Sequence, residues 1–258
     1  EAYHLHDYQS SETLLKEALA LPGISIIDKG EIKIELANVY VLQSKVWDAS
    51  LLFMQVEKEF KYDPIGHTAK FNNAKIYYYT GEFGWCQAQL DVLKASTSKL
   101  IANDAMELSL LITDNFNLDT TQLTMKLFSK ADLLILQNKF DEVYDIYDSI
   151  NSMNGYHSLN DDMLFRKAKI SVKLKLYEKA ISELKELLQD YADDILADNA
   201  LFLLGEIYDR YIMDIDKAKE CYKKILFEHQ GSLFVVEARK RFRKLTGSQN
   251  EVIKGNSL

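Results

Sequence analysis

The residues of this chain that could do chemistry are few and far apart. His4 and His6 stand two positions apart, a spacing that could flank a metal ion; a solvated terminus is the simpler reading. His67, His157 and His229 have no further ligand at a recognisable interval. Cys86 and Cys221 lie 135 residues apart at interior positions of helical segments, where a thiol serves as a small apolar side chain. Cysteine usage therefore leaves the redox compartment undecided. Gly81-Glu82-Phe83-Gly84 lacks the Lys-Ser/Thr and the preceding strand of a phosphate loop, and no serine nucleophile elbow is present. Asp161-Asp162 and Asp193-Asp194 read as helix openings, where carboxylates complement the helix dipole. The expectation is a chain with no catalytic residue, no cofactor and no metal. Trp47 and Trp85 start helices and are expected to pack across them.

The elements that hold these residues repeat. Small residues recur at Ala37, Ala74, Ala131, Ala168 and Gly205, each twelve or thirteen positions before a second landmark at Ala49, Cys86, Val143, Ala180 or Ala218. A small side chain there lets two helix axes approach closely. Between the landmarks lie turns, Gln43-Ser44-Lys45, Thr80-Gly81-Glu82 and Gln137-Asn138-Lys139, in which Gly and Asn tolerate the left-handed conformation that ends a helix. Phe53, Leu90, Tyr147, Leu184 and Tyr222, then Val56, Leu93, Ile150, Leu187 and Ile225, return one face of the second helix to a core. Only two prolines, Pro22 and Pro64, interrupt 258 residues, and both fall between helical segments. No run of alternating strand pattern is present.

This pattern resembles the tetratricopeptide repeat. Tyr40, Tyr77 and Tyr208 match its first-helix aromatic, Gly81 and Phe83 its turn, and Ala49, Ala180 and Ala218 its second-helix alanine. The copies are degenerate: Lys130 and Lys167 stand where leucine is usual, and Ser171 where tyrosine is. The resemblance covers roughly residues 31–245 and implies an all-α, right-handed superhelical solenoid of antiparallel helix hairpins, with about 12–13 helices. The expected organisation is one domain, 1–245. It comprises a half repeat at 8–20, repeats at 31–60, 65–95, 121–152, 159–191 and 194–229, and a capping helix at 232–245, followed by a flexible tail at 246–258. The landmarks are separated by 37, 57, 37 and 38 residues. The long second interval is read as one unpaired extra helix near 101–115, followed by a helix that Thr120 could cap; a degenerate full repeat is the alternative.

In this repeat family the residue three before the small position faces the concave surface. The resemblance therefore implies a partner-binding groove lined by Ile34, Phe71, Phe128, Phe165 and Phe202. The next rows add Asn38, Lys75, Asp132, Lys169 and Glu206, and then Tyr78 among others. Large aromatics rimmed by mixed charge suit peptide binding, although tight curvature or the terminal helices could bury the same rings. Members that clamp a C-terminal carboxylate carry Lys and Asn here. With Phe in the first column, and only Asn38, Lys75 and Lys169 in keeping, that mode is not expected.

Net charge is −8 and the pI about 5.2. Helical repeats that read RNA need a basic face, and the only dense basic segment, Arg239 to Lys244, is explained as a solvated capping helix. The expected partner is a protein or peptide, an extended segment or a helix, with no nucleic acid and no direct membrane insertion. The chain begins inside a repeat pattern and reads as a fragment or a processed chain. Its open first end leaves self-association, or stacking on the rest of a longer chain, as a second reading; an enzyme's accessory domain is a third. His229-Gln230-Gly231-Ser232 resembles the loop of bacterial envelope scaffolds with this repeat, apart from Gln230 in place of proline. That implies a bacterial, periplasmic or envelope protein, with the cytoplasm as the alternative.

Overall fold

The left-handed turn residues show how the hairpins are built. In a computed structural model that describes residues 7–95, 99–116, 122–153 and 158–247, Ser44, Gly81, Asn138 and Lys175 have φ of 65°, 76°, 61° and 60°. Each lies seven residues after its repeat's small residue. The next residue donates its N–H back across the helix end: Lys45 to the Tyr40 carbonyl, Glu82 to Tyr77, Lys139 to Leu134 and Leu176 to Ser171, all within 2.8–2.9 Å. This pairing satisfies carbonyls that a helix end otherwise leaves open. The fifth copy differs by one residue, because Gly205 and Ala218 are thirteen apart. A single π turn, Tyr208–Ile212, absorbs the extra residue, and the left-handed position moves to Met213.

The chain divides into two compact units, Glu1–Tyr156 and His157–Leu258. The first holds α1 (Tyr8–Ala20), α2 (Ile26–Leu42), α3 (Val46–Glu59), α4 (Pro64–Tyr79), α5 (Phe83–Lys94), α6 (Lys99–Phe116), α7 (Leu123–Leu136) and α8 (Phe140–Met153). The second holds α9 (Asn160–Lys173), α10 (Tyr177–Asp190), α11 (Ala197–Ile207), α12 (Ile215–Glu228) and α13 (Val235–Thr246). Successive helices pack side by side within each unit, and no strand occurs among the described residues. His4, His6, Thr120, His157 and most of the 246–258 segment lie outside the described residues.

The small residues do what their size requires. Ala37, Ala74, Ala131 and Ala168 are wholly buried at helix crossings. A Cβ built on Gly205 would come within 2.7 Å of the Tyr222 ring. Gly66, which the repeat pattern does not mark, is tighter still: its Cβ would lie 1.9 Å from the Phe60 carbonyl oxygen, so α4 enters its packing only with glycine there. Ser171, the departure from the tyrosine pattern, is also fully buried. Its hydroxyl donates to Glu183 Oε2 at 2.7 Å, and burial pushes the Glu183 carboxyl above its ordinary range.

The expected extra helix is α6. It lies against α5 through Gln87, whose side-chain amide donates to the Ser109 carbonyl at 3.0 Å and to Thr113 Oγ1 at 3.1 Å. Buried Ala105 and Ile112 carry its apolar face. Beyond it, α7 packs against α4 as well as α6.

Candidate partner-binding groove

Within the first unit, α7 closes over the face of α2 and α4 on which the groove residues stand. Gln137, just past the end of α7, donates its side-chain amide to the Val41 carbonyl at 2.9 Å and to Ser44 Oγ at 3.1 Å. Leu133 packs into the cluster built on Ile34, Ala37, Val41 and Phe53. The Tyr78 hydroxyl donates to Asp132 Oδ2 at 2.7 Å. Residues expected to meet a partner thus meet each other. Ile34 and Tyr78 are buried. Phe128 is fully buried and stacked on Tyr147, with ring centroids 6.1 Å apart. As an exposed anchor it is corrected to a core residue, because the side chain that would have been open to solvent is packed within the α7–α8 hairpin. Asn38, Phe71, Lys75 and Asp132 remain half-buried, and the Lys75 ammonium lies 5.1 Å from the centre of the Phe71 ring.

A cavity of about 240 Å³ remains on this face. Asn38, Asn72 and Lys75 line it with Val41, Leu42, Phe53, Ile76, Tyr79 and, from α7, Leu136. Burial holds the Lys75 ammonium below the usual lysine range, opposed by the carboxylate of Asp104 on α6.

In the second unit, α13 takes over two of the groove residues. Phe202 stacks on Phe234 at 4.6 Å, with Arg241 5.0 Å from the ring centre on α13. Glu206 accepts from Arg241 Nη2 at 2.9 Å and pairs with Arg210 at 3.3 Å. Arg241 also donates to Glu237 at 3.0 Å and to the Tyr222 hydroxyl at 3.4 Å. Phe165 is half-buried against the same core cluster as Phe202, and Lys169 is exposed with its ammonium 5.6 Å from the Phe165 ring centre.

The other candidates resolve simply. Cys86 and Cys221 are buried, and desolvation pushes each thiol up to about 12, so neither is a thiolate near neutrality. No cluster of three His, Cys, Asp or Glu that could hold a metal occurs among the described residues. Asp161 and Asp162 do open α9, with Asp162 paired to Arg166 at 2.8 Å; Asp193 and Asp194 sit in the turn before α11 instead. The tryptophans depart from expectation. Trp85 is 66% exposed and Trp47 54%, although Trp47 keeps an edge contact to Tyr77 at 6.2 Å. Asn72 and Gly66 carry no mark in the sequence and Gln137 reads there only as a turn residue, because their roles come from helices distant along the chain or from one backbone approach. No described helix is long and apolar enough to cross a membrane.

Each unit is therefore a tetratricopeptide-like array of antiparallel helix hairpins, on the strength of its own crossings and turns. No known family profile and no curated protein matches the chain. Among solved structures it is similar to a tetratricopeptide repeat protein from Parabacteroides merdae ATCC 43184, at 13% identity and a TM-score of 0.40, over 84% of this chain and 73% of that one.

Proposed function

We propose that this chain is a non-catalytic scaffold that binds a protein partner, an extended peptide or a helix, along the first-helix row of its second unit. The observation that carries the reading is Phe165 with Lys169: a half-buried aromatic in the groove register, beside an exposed ammonium that no described carboxylate neutralises. An apolar side chain next to an acidic one would meet both. Phe202 and Glu206 are engaged by α13 and support this row rather than contact the partner. In the first unit, α7 packs on part of the equivalent row, and Lys75 is half-buried where Lys169 is exposed.

Panning a displayed peptide library on the whole chain tests this. Enriched peptides should lose about 1 kcal/mol or more of affinity to Phe165→Ala, with a further loss on Lys169→Glu and thermal unfolding little changed. Enrichment indifferent to both substitutions would overturn the assignment.

A second reading is architectural, and apolar exposure near the first helix favours it. Leu14, Leu21, Ile26 and Ile27 are all exposed there. Stacking through that end gives a mass that rises with concentration in sedimentation equilibrium, without any ligand. Residence in a bacterial envelope remains part of this proposal, resting on the His229–Ser232 loop; fractionation of the native cell tests it against the cytoplasm.

A further inference from the structure

We infer that the hairpin-turn edge of the second unit docks on an anionic lipid surface, its exposed turn side chains at the boundary of headgroups and acyl chains and its cations among the headgroups.

Three observations converge on this. The first is an apolar edge. In the first unit the turns read Gln43-Ser44-Lys45, Thr80-Gly81-Glu82 and Gln137-Asn138-Lys139, with no large apolar residue. In the second they read Leu174-Lys175-Leu176 and Ile212-Met213-Asp214. Leu174, Leu176 and Met213 are exposed, and so are Tyr211 and Ile215 beside them. The Tyr177 and Tyr211 rings stack at 4.4 Å and hold the two turns together, so these side chains form one patch. A contiguous apolar patch marks a contact surface.

The second is local conformation. Met213 is 67% exposed at φ 60°, in the region that glycine or asparagine suits. Leu176 stands at the N-cap of α10 and leaves it without a side-chain cap, where serine or aspartate would supply one. Local geometry favours other residues at both positions, and burial within the chain explains neither. An apolar contact from outside accounts for both.

The third is charge. α11 and α13 run side by side in one direction, Phe202 meeting Phe234 and Glu206 meeting Arg241. The last turn of α13, with Arg243 and Lys244, therefore ends at the same edge as the Met213 turn. Lys175, Arg243 and Lys244 are exposed and have no carboxylate partner among the described residues. The carboxylates near them are mostly engaged: Asp214 with Lys217 at 2.7 Å, Asp216 with Lys219 at 3.4 Å, and Asp209 with the Tyr222 hydroxyl at 3.5 Å, while Glu178 stays open. Free cations gathered at one edge of a chain of net charge −8 select an anionic surface. Protruding turns flanked by cations need no matching recess in a partner, which favours a fluid lipid interface over a folded protein. Docking of this kind is superficial, in keeping with the lack of a membrane-crossing helix among the described residues.

The edge does not rest on the peptide-binding row, and Phe165→Ala should leave it unchanged. The test sediments the whole chain with sucrose-loaded vesicles of phosphatidylcholine alone, and of phosphatidylcholine with about one-third phosphatidylglycerol. The anionic vesicles should bind the chain about ten-fold more tightly or better, with binding that falls as salt is raised. Arg243→Gln with Lys244→Gln should lower the partition coefficient by about ten-fold or more. Leu176→Ser with Met213→Asn should lower it by a similar factor while thermal unfolding stays level or rises, since both replacements suit their backbone. Absence of binding to the anionic vesicles up to about 1 mM lipid, equal binding to both vesicles, or binding unchanged by either pair of substitutions would each overturn the inference. A mass that rises with concentration in the absence of lipid, and is lost in Leu176→Ser with Met213→Asn, would assign the edge to a second copy of the chain and overturn it as well.

Discussion

Glu12 sits buried on α1, with Lys16 one turn along and Lys45 at the α2–α3 turn. Hydrogen bonds from Lys16 first and Lys45 second hold its carboxyl well down, at about 2 against an ordinary 4.5. A carboxylate depressed in the fold contributes stability that is fully present above its unfolded pKa and is lost as pH falls through the folded one. The contribution of Glu12 should therefore fade between about pH 4.5 and 2. Urea midpoints of the native chain and Glu12→Gln should differ at pH 6 and converge toward pH 2.5; a constant gap would remove the ion pairs as its cause. Phe128 makes a different prediction at the same scale. Because it is wholly buried on Tyr147, Phe128→Ala should cost about 3–5 kcal/mol in chemical denaturation. A near-neutral result would return Phe128 to the surface.

At the scale of the hairpin, two positions set the geometry: the small residue at the crossing and the left-handed residue in the turn. Ala168 is wholly buried within the core of the second unit, so Ala168→Leu should overpack it and cost about 1–3 kcal/mol. An unchanged denaturation midpoint would remove Ala168 from the crossing. Lys175 holds φ of 60° where the second hairpin of the first unit uses Gly81. A side chain in that conformation costs roughly 1–2 kcal/mol, offset in part by the greater freedom of glycine in the unfolded chain. Lys175→Gly should therefore stabilise by up to about 1 kcal/mol, read as a raised Tm. A lowered Tm would mean that the lysine side chain contributes more than its backbone strain removes.

At the scale of the whole molecule, each unit has its own buried cluster, and helical repeats draw their stability from neighbours in contact. Destabilisation at Ala168 should therefore spread unevenly. In Ala168→Leu, amide hydrogen exchange should quicken first in α9 to α12 and least in α2 to α5, whereas uniform quickening would make the chain one cooperative block.

The sequence by itself determined the hairpins. The twelve-residue interval from small residue to second landmark, the turn that ends in a left-handed residue, and the return of Phe53, Tyr147 or Tyr222 to the core are local relations, enforced by helix geometry wherever they occur. Even the 57-residue interval was legible as an added helix, because an interval that departs from the repeat has to be taken up by an element. What the tertiary structure decided was which groove residues stay open. Phe71, Phe128, Phe165 and Phe202 are equivalent in register, yet Phe128 lies in the core, Phe202 is engaged by Phe234 and Arg241, and Phe165 keeps an exposed lysine beside it. That difference comes from what packs opposite each ring: Tyr147 for one, Phe234 and Arg241 for another. The latch of Gln137 to Val41 spans 96 residues, and the meeting of Asn38, Asn72 and Lys75 around one cavity depends on how α2 and α4 come together. Repeat periodicity fixes a residue's position along its own helix, whereas exposure is set by the neighbouring helix, whose approach is a property of the assembled chain.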